Sequence, residues 1–281
     1  MQLSARPKNN PKTIFGWCMY DWANSAYSTT TVGLLPVYFA RSVVGPEGVH
    51  LGASTYKAET LWGALMGLAT FLTFVIAPVL GAIADFSAAK KRFLLAFAYS
   101  GALFTLLLYF CRSGDVFQTL VFFLIAQVGF TSANVFYDAF LPQIATEDKM
   151  DWVSGKGYSY GYVGGGLQFA LALALVAGHE KVGLSLATAT RIGVAMAGLW
   201  WAGFTLFTAW HLREEPTTTM LPERFRHWPR LLAYAAVGVR RTAGTARQVR
   251  RFRHLLLFLI AFMLYDDGIQ KIGRASCRER V

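Results

Sequence analysis

The chain has 281 residues, of which 54% are hydrophobic and only 15% charged. Soluble domains carry about 25% charged residues, and here the apolar residues lie in long blocks, which excludes an ordinary soluble enzyme and points to a membrane. The net charge of +11 suits either nucleic-acid binding or the cytoplasmic loops of a membrane protein; apolar blocks between the basic clusters favour the second, and no nucleic-acid partner is expected.

A helix crossing a hydrocarbon core of about 30 Å needs roughly 20 mostly apolar residues. In chain order the blocks that meet this length are Phe15–Val44, Leu61–Ala84, Phe93–Cys111, Val116–Ile144, Gly157–Ala177 and Ile192–Leu212. The first holds Asp21 and Asn24 and has no small-residue cleavage site behind a short core, so it reads as a retained span rather than a signal peptide. Residues 213–253 differ in kind. They carry ten arginines, yet Trp228, Leu231, Leu232, Ala235 and Val239 recur at helical spacing. A basic amphipathic linker helix resting on the anionic inner leaflet explains both features. A seventh span starts near His254 and runs to Gln270.

With the amino terminus placed in the cytoplasm, eighteen Lys and Arg fall inside and five outside, so the positive-inside rule orients the chain that way. The expected location is a cell inner membrane, crossed many times. Six spans, a long basic linker and a further span form the front of a six-plus-six layout, in which two repeats are related by an axis along the membrane normal. The expected class is therefore all-α: residues 1–212 as an N-terminal six-helix half, 213–253 as linker, and 254–270 as the start of span seven.

Charged groups inside spans are costly and usually face a cavity or the bundle interior. Asp21 sits among Tyr20, Asn24 and Tyr27, and Asp138 shares a helix face with Asn134, one turn earlier, beside Tyr137. Asp266 lies in the seventh span. These residues read either as the lining of a cavity that binds a small-molecule substrate or coupling ion, or as caps near span ends. Gly161, Gly164 and Gly165 suit close helix packing; without a preceding strand they do not form a phosphate loop. Gly81, Asp85 and the basic run Lys90, Lys91, Arg92 end the second span and anchor the loop behind it. Three cysteines, Cys18, Cys111 and Cys277, offer neither a paired framework nor metal spacing. No catalytic grouping, metal site or cofactor is expected.

Trp17-Cys-Met-Tyr-Asp-Trp-Ala-Asn-Ser-Ala-Tyr27 resembles the first-span signature of the vacuole-effluxer-like family of the major facilitator superfamily. Val135-Phe-Tyr-Asp-Ala-Phe-Leu-Pro142, Ser154 to Leu167 and Tyr265-Asp-Asp-Gly-Ile-Gln270 resemble its fourth-span, fifth-span and seventh-span motifs, in the right order. The resemblance implies twelve spans and transport of a small solute by alternating access, with amino acids as a possible cargo. It makes Asp21, Asn24 and Asp138 candidates for contact with substrate or coupling ion. It also implies a conformational latch at Gly81, Asp85, Lys90, Lys91 and Arg92, the superfamily's Gly-xxx-Asp and basic signature in reduced form. Residues 271–281 depart from the pattern and read like translated sequencing adapter. The expectation is a truncated carrier that cannot transport alone; the alternatives are a six-span homodimeric carrier and a membrane scaffold without transport.

Overall fold

The structure is a computed structural model, and the residues it describes are 8–52, 54–87, 89–214, 221–225, 227–249, 252, 254, 256–258, 260–262 and 264–265. Asp266 and the segment 271–281 lie outside the described residues. Long helices dominate: α1 (Pro11–Gly33), α2 (Ala58–Phe86), α3 (Lys90–Leu107), α4 (Val116–Asp138), α5 (Met150–Ala177), α6 (Leu186–His211) and α7 (Arg230–Val249). The segments holding α2 to α6 are long and apolar enough to cross a membrane. At 29 residues, α2 reaches about 43 Å at 1.5 Å per residue. The fold is an all-α polytopic membrane protein.

Helix α1 is long enough to span but more polar than the other five, because Asp21, Asn24 and the run Ser28 to Thr31 interrupt its apolar residues. It is also the most enclosed. Cys18, Tyr20, Ala23, Ala26 and Tyr27 are all but inaccessible, since α1 packs along both α5 and α6. A helix shielded from lipid by its neighbours can carry polar groups that face a cavity or one another.

Local chemistry sets the ends. Asn10 caps α1, its Oδ1 accepting from the backbone N–H of Lys12 at 3.0 Å and Thr13 at 3.3 Å, and Pro11 stands at the first helical position. The expected span Phe15–Val44 is not one helix. It breaks at Leu34, because the ring of Pro36 would collide with the carbonyl of Val32, and resumes as Leu35–Tyr38 and a wide-turned stretch Phe39–Val44. Outside the first span lies a two-stranded antiparallel hairpin, β1 (Val49–Leu51) and β2 (Ser54–Tyr56), with His50 opposite Thr55.

Neighbouring helices follow the order α5–α1–α6–α3–α4–α2, with α7 lying against α2. Glycine lets several of these contacts close: a Cβ at Gly101 of α3 would overlap the Trp201 ring of α6, and one at Gly198 would meet Leu106 and the Ala102 carbonyl. Large rings fill the spaces so left. Phe136 stacks with Phe93 at 5.4 Å, and Trp201 meets Tyr27 at 5.3 Å. Close approach through small residues with aromatic fill is how membrane helices associate where lipid offers no hydrophobic drive.

Helix α7 presents two different faces. Ala233 and Val237 bury against Ala82 and Phe86 of α2, and Gly238 lies so close to Pro78 that a Cβ there would overlap the proline carbonyl. Trp228, Leu232 and Val239, on the expected apolar stripe, stay exposed, and Ala235 is half-buried; the side chain of Leu231 is outside the described part.

A candidate solute cavity between α1, α4 and α5

A cavity of about 450 Å³ opens where α1, α4 and α5 diverge. From α1 it is lined by Trp17, Asp21, Asn24, Ser25, Ser28 and Thr29, from α4 by Phe130, Asn134, Tyr137 and Asp138, and from α5 by Ser154, Tyr158, Gly161, Tyr162 and Gly166. Each set follows one helical face. The α1 residues stand at steps of three and four, and the α5 set does the same.

Hydrogen bonds and rings fix the walls. Asn24 donates its Nδ2–H to Oδ1 of Asn134 at 2.7 Å, tying α1 to α4. Trp17 donates Nε1–H to the Tyr137 carbonyl at 3.0 Å, and its ring stacks on Tyr137 with centroids 4.3 Å apart. The Tyr137 hydroxyl is buried with no hydrogen-bond partner among the described residues. Deeper in the bundle, Gln168 accepts from Thr30 Oγ1 at 3.2 Å and donates to the Gly193 carbonyl at 3.4 Å, which joins α1, α5 and α6.

The α5 glycines bring that helix onto α1. A Cβ on Gly161 would sit 2.8 Å from Ser25 Oγ and 3.0 Å from Asp21 Oδ2; one on Gly164 would meet Trp22, and one on Gly165 would meet Ser25. The Asp21 carboxylate therefore rests against bare α5 backbone. Asp138 is the last residue of α4 and is exposed at the cavity mouth, whereas Asp21 is half-buried at mid-helix. Two carboxylates and no lysine or arginine line the cavity among the described residues.

Of the residues named from sequence, Asp21, Asn24, Asn134, Tyr137 and Asp138 meet in this cavity. Tyr20 and Tyr27 do not. They lie on other faces of α1, buried in the core, where Tyr27 donates its hydroxyl to Gln127 Oε1 at 3.0 Å. Sequence reasoning passed over Trp17, Ser25, Ser28 and Thr29, although all four stand at helical steps of four, seven or eight from Asp21 and could have been found by extending that period along α1.

The loop between α2 and α3 is held from two sides. Asp85 pairs with Arg241 of α7 at 2.8 Å. The Glu214 carboxylate, just past the end of α6, accepts from the backbone N–H of Lys90 at 2.6 Å and Lys91 at 3.2 Å, capping α3. The Lys90 side chain is buried, that of Arg92 exposed, and Gly81 faces open space. Glu214 was not foreseen; its signal is an acid directly after a span end that faces a helix start lacking a capping side chain of its own.

The family model described as Vacuole effluxer Atg22 like matches residues 9–276. An uncharacterized MFS-type transporter, YxiO of Bacillus subtilis (strain 168), is 32% identical over 260 residues, covering 91% of this chain and 57% of the relative. Autophagy-related protein 22 of Coccidioides immitis (strain RS) is 24% identical over 316 residues, covering 91% of this chain and 50% of the relative. The chain thus spans about half the length of these curated relatives. No solved structure matches it. Taken with the α1 and α5 motifs at the cavity, the family match over nearly the whole length means that the chain belongs to the Atg22-like vacuole effluxer family.

Proposed function

We propose that the chain is the front half of an alternating-access carrier, and that its cavity holds a small solute through an ammonium group, as an amino acid would offer. The observation that carries this is the pairing of Asp21 and Asp138 in one cavity whose described lining has no basic residue. Two carboxylates in a lining without lysine or arginine suit a cation, which opposite charge draws in and no basic side chain displaces. The unpartnered Tyr137 hydroxyl adds a group able to donate to the solute. The bacterial relative named as an MFS-type transporter supports transport across a cell inner membrane, and the excess of Lys and Arg on one side of the spans supports an amino terminus inside. The curated relatives are longer than this chain, which supports a second bundle that meets the cavity on the side of Tyr158 and Tyr162. The exposed stripe of α7 rests on the inner leaflet in this reading.

Binding to the purified chain in lipid nanodiscs tests the cavity. Radiolabelled amino acids should bind, and Asp21→Asn should weaken them about tenfold or more, the scale of a lost charged hydrogen bond. Unchanged affinity in Asp21→Asn would remove Asp21 from solute contact.

A further inference from the structure

A second cavity, of about 280 Å³, lies at the start of α1, among the tail, the segment after α4 and the end of α6. Lys8, Lys12 and Arg213 line it against one carboxylate, Glu214. That carboxylate already accepts from the Lys90 and Lys91 backbone, and among the described residues neither Lys12 nor Arg213 forms an ion pair.

The walls are built rather than incidental. Asn9 adopts φ 64° and locks the tail to the segment after α4: its N–H donates to the Ile144 carbonyl at 2.8 Å, its Nδ2 to Thr146 Oγ1 at 2.8 Å, and its Oδ1 accepts from Thr146 N–H at 3.1 Å. Lys8 donates to the Pro142 carbonyl at 2.7 Å, which leaves two of its N–H groups to serve the cavity. On the other side, Gly16 lets α1 close on α6, since a Cβ there would lie 2.6 Å from that of His211. Gln143 lines the cavity with its Oε1 buried and without a hydrogen-bond partner among the described residues.

Trp210, at the rim, is exposed at the end of a membrane-crossing helix. Tryptophan in that position marks the headgroup layer, so the cations stand at the depth of lipid phosphates. We propose that this cavity binds the phosphodiester headgroup of an anionic glycerophospholipid, with Lys8, Lys12 and Arg213 on the phosphate and Gln143 Oε1 accepting from a headgroup hydroxyl. Phosphatidylglycerol offers both groups. The site is independent of the solute cavity and of what that cavity carries.

Native mass spectrometry of the full chain, titrated with phosphatidylglycerol, phosphatidylcholine or inorganic phosphate, tests this. One phosphatidylglycerol should bind in preference to phosphatidylcholine. The double variant Lys12→Gln/Arg213→Gln should bind it about tenfold more weakly, while Arg112→Gln, distant in the fold, and Lys12→Arg/Arg213→Lys should bind as wild type does. Equal binding by the neutralised variant, equal binding of the two lipids, or loss in the charge-conserving variant would each overturn the assignment. If inorganic phosphate binds and phosphatidylglycerol does not, the site serves a soluble anion and the lipid is excluded.

Discussion

Asp21 faces α5 at a point where that helix has no side chain, and this single contact joins packing to chemistry. A methyl group at Gly161 would fall 3.0 Å from Asp21 Oδ2, closer than ordinary packing permits. Gly161→Ala should therefore lower stability by about 1–3 kcal/mol and disturb solute binding with it. At Gly166 a methyl group would meet nothing within 4 Å, and Gly166→Ala should be neutral or stabilising by up to about 1 kcal/mol, since alanine favours the helix. Thermal unfolding of both variants in detergent checks the contrast; equal losses would mean that α5 does not lie on α1 as described. The same scale explains the fate of the tyrosines. Successive helical residues are turned by about 100°, so Tyr20 cannot share the Asp21 face, and Tyr27, six positions on, also turns away. Grouping residues by nearness in sequence brought them into the candidate set; grouping by period leaves them out and admits Ser25 and Ser28.

Among the elements, the apolar blocks made α2 to α6 legible, because a membrane span needs length and apolarity and little else. The starts of α5 and α6 lie earlier than the apolar blocks do, at Met150 and Leu186, since helix continues through polar residues that the hydrophobic signal does not register. The hairpin Val49–Tyr56 was invisible for a different reason: strands of three residues are too short to show alternation. Helix α7 was legible as amphipathic, yet its docking on α2 was not, because the docked face is made of Ala233, Val237 and Gly238, small residues that carry little periodic signal. The α2–α3 loop joins these elements. Glu214→Ala removes the cap of α3 and should cost about 0.5–2 kcal/mol, whereas Arg241→Ala breaks a half-exposed pair worth about 0–1 kcal/mol. Gly238→Leu should do more than either to α7, since it drives a side chain into the Pro78 carbonyl. Hydrogen exchange should then show α7 losing protection while α1 to α6 keep theirs; an unchanged α7 would contradict its docking.

On the scale of the whole molecule, the charge distribution and the two cavities give the bundle a direction. The tail, the α2–α3 loop and the segment after α6 meet at one end, around Lys8, Lys91 and Arg213, and the proposed solute cavity opens between α1, α4 and α5. With the tail inside, a membrane-impermeant maleimide applied to intact cells should label a cysteine placed at Lys57 or Arg112 and spare one placed at Lys12. Labelling at Lys12 would invert the proposed topology.

The central claim, that the cavity between α1, α4 and α5 receives a solute by its ammonium group, is tested most directly by protection of a cysteine placed inside it. Ser28→Cys lines the cavity and can be introduced with Cys18, Cys111 and Cys277 replaced by serine, and its alkylation rate followed with solute present. An amino acid that binds should slow the reaction, its decarboxylated amine should slow it as well, and its deaminated acid should not, with Asp21→Asn abolishing the protection by the amino acid and the amine. Protection by the deaminated acid equal to that by the amine, or protection that survives Asp21→Asn, would contradict the account.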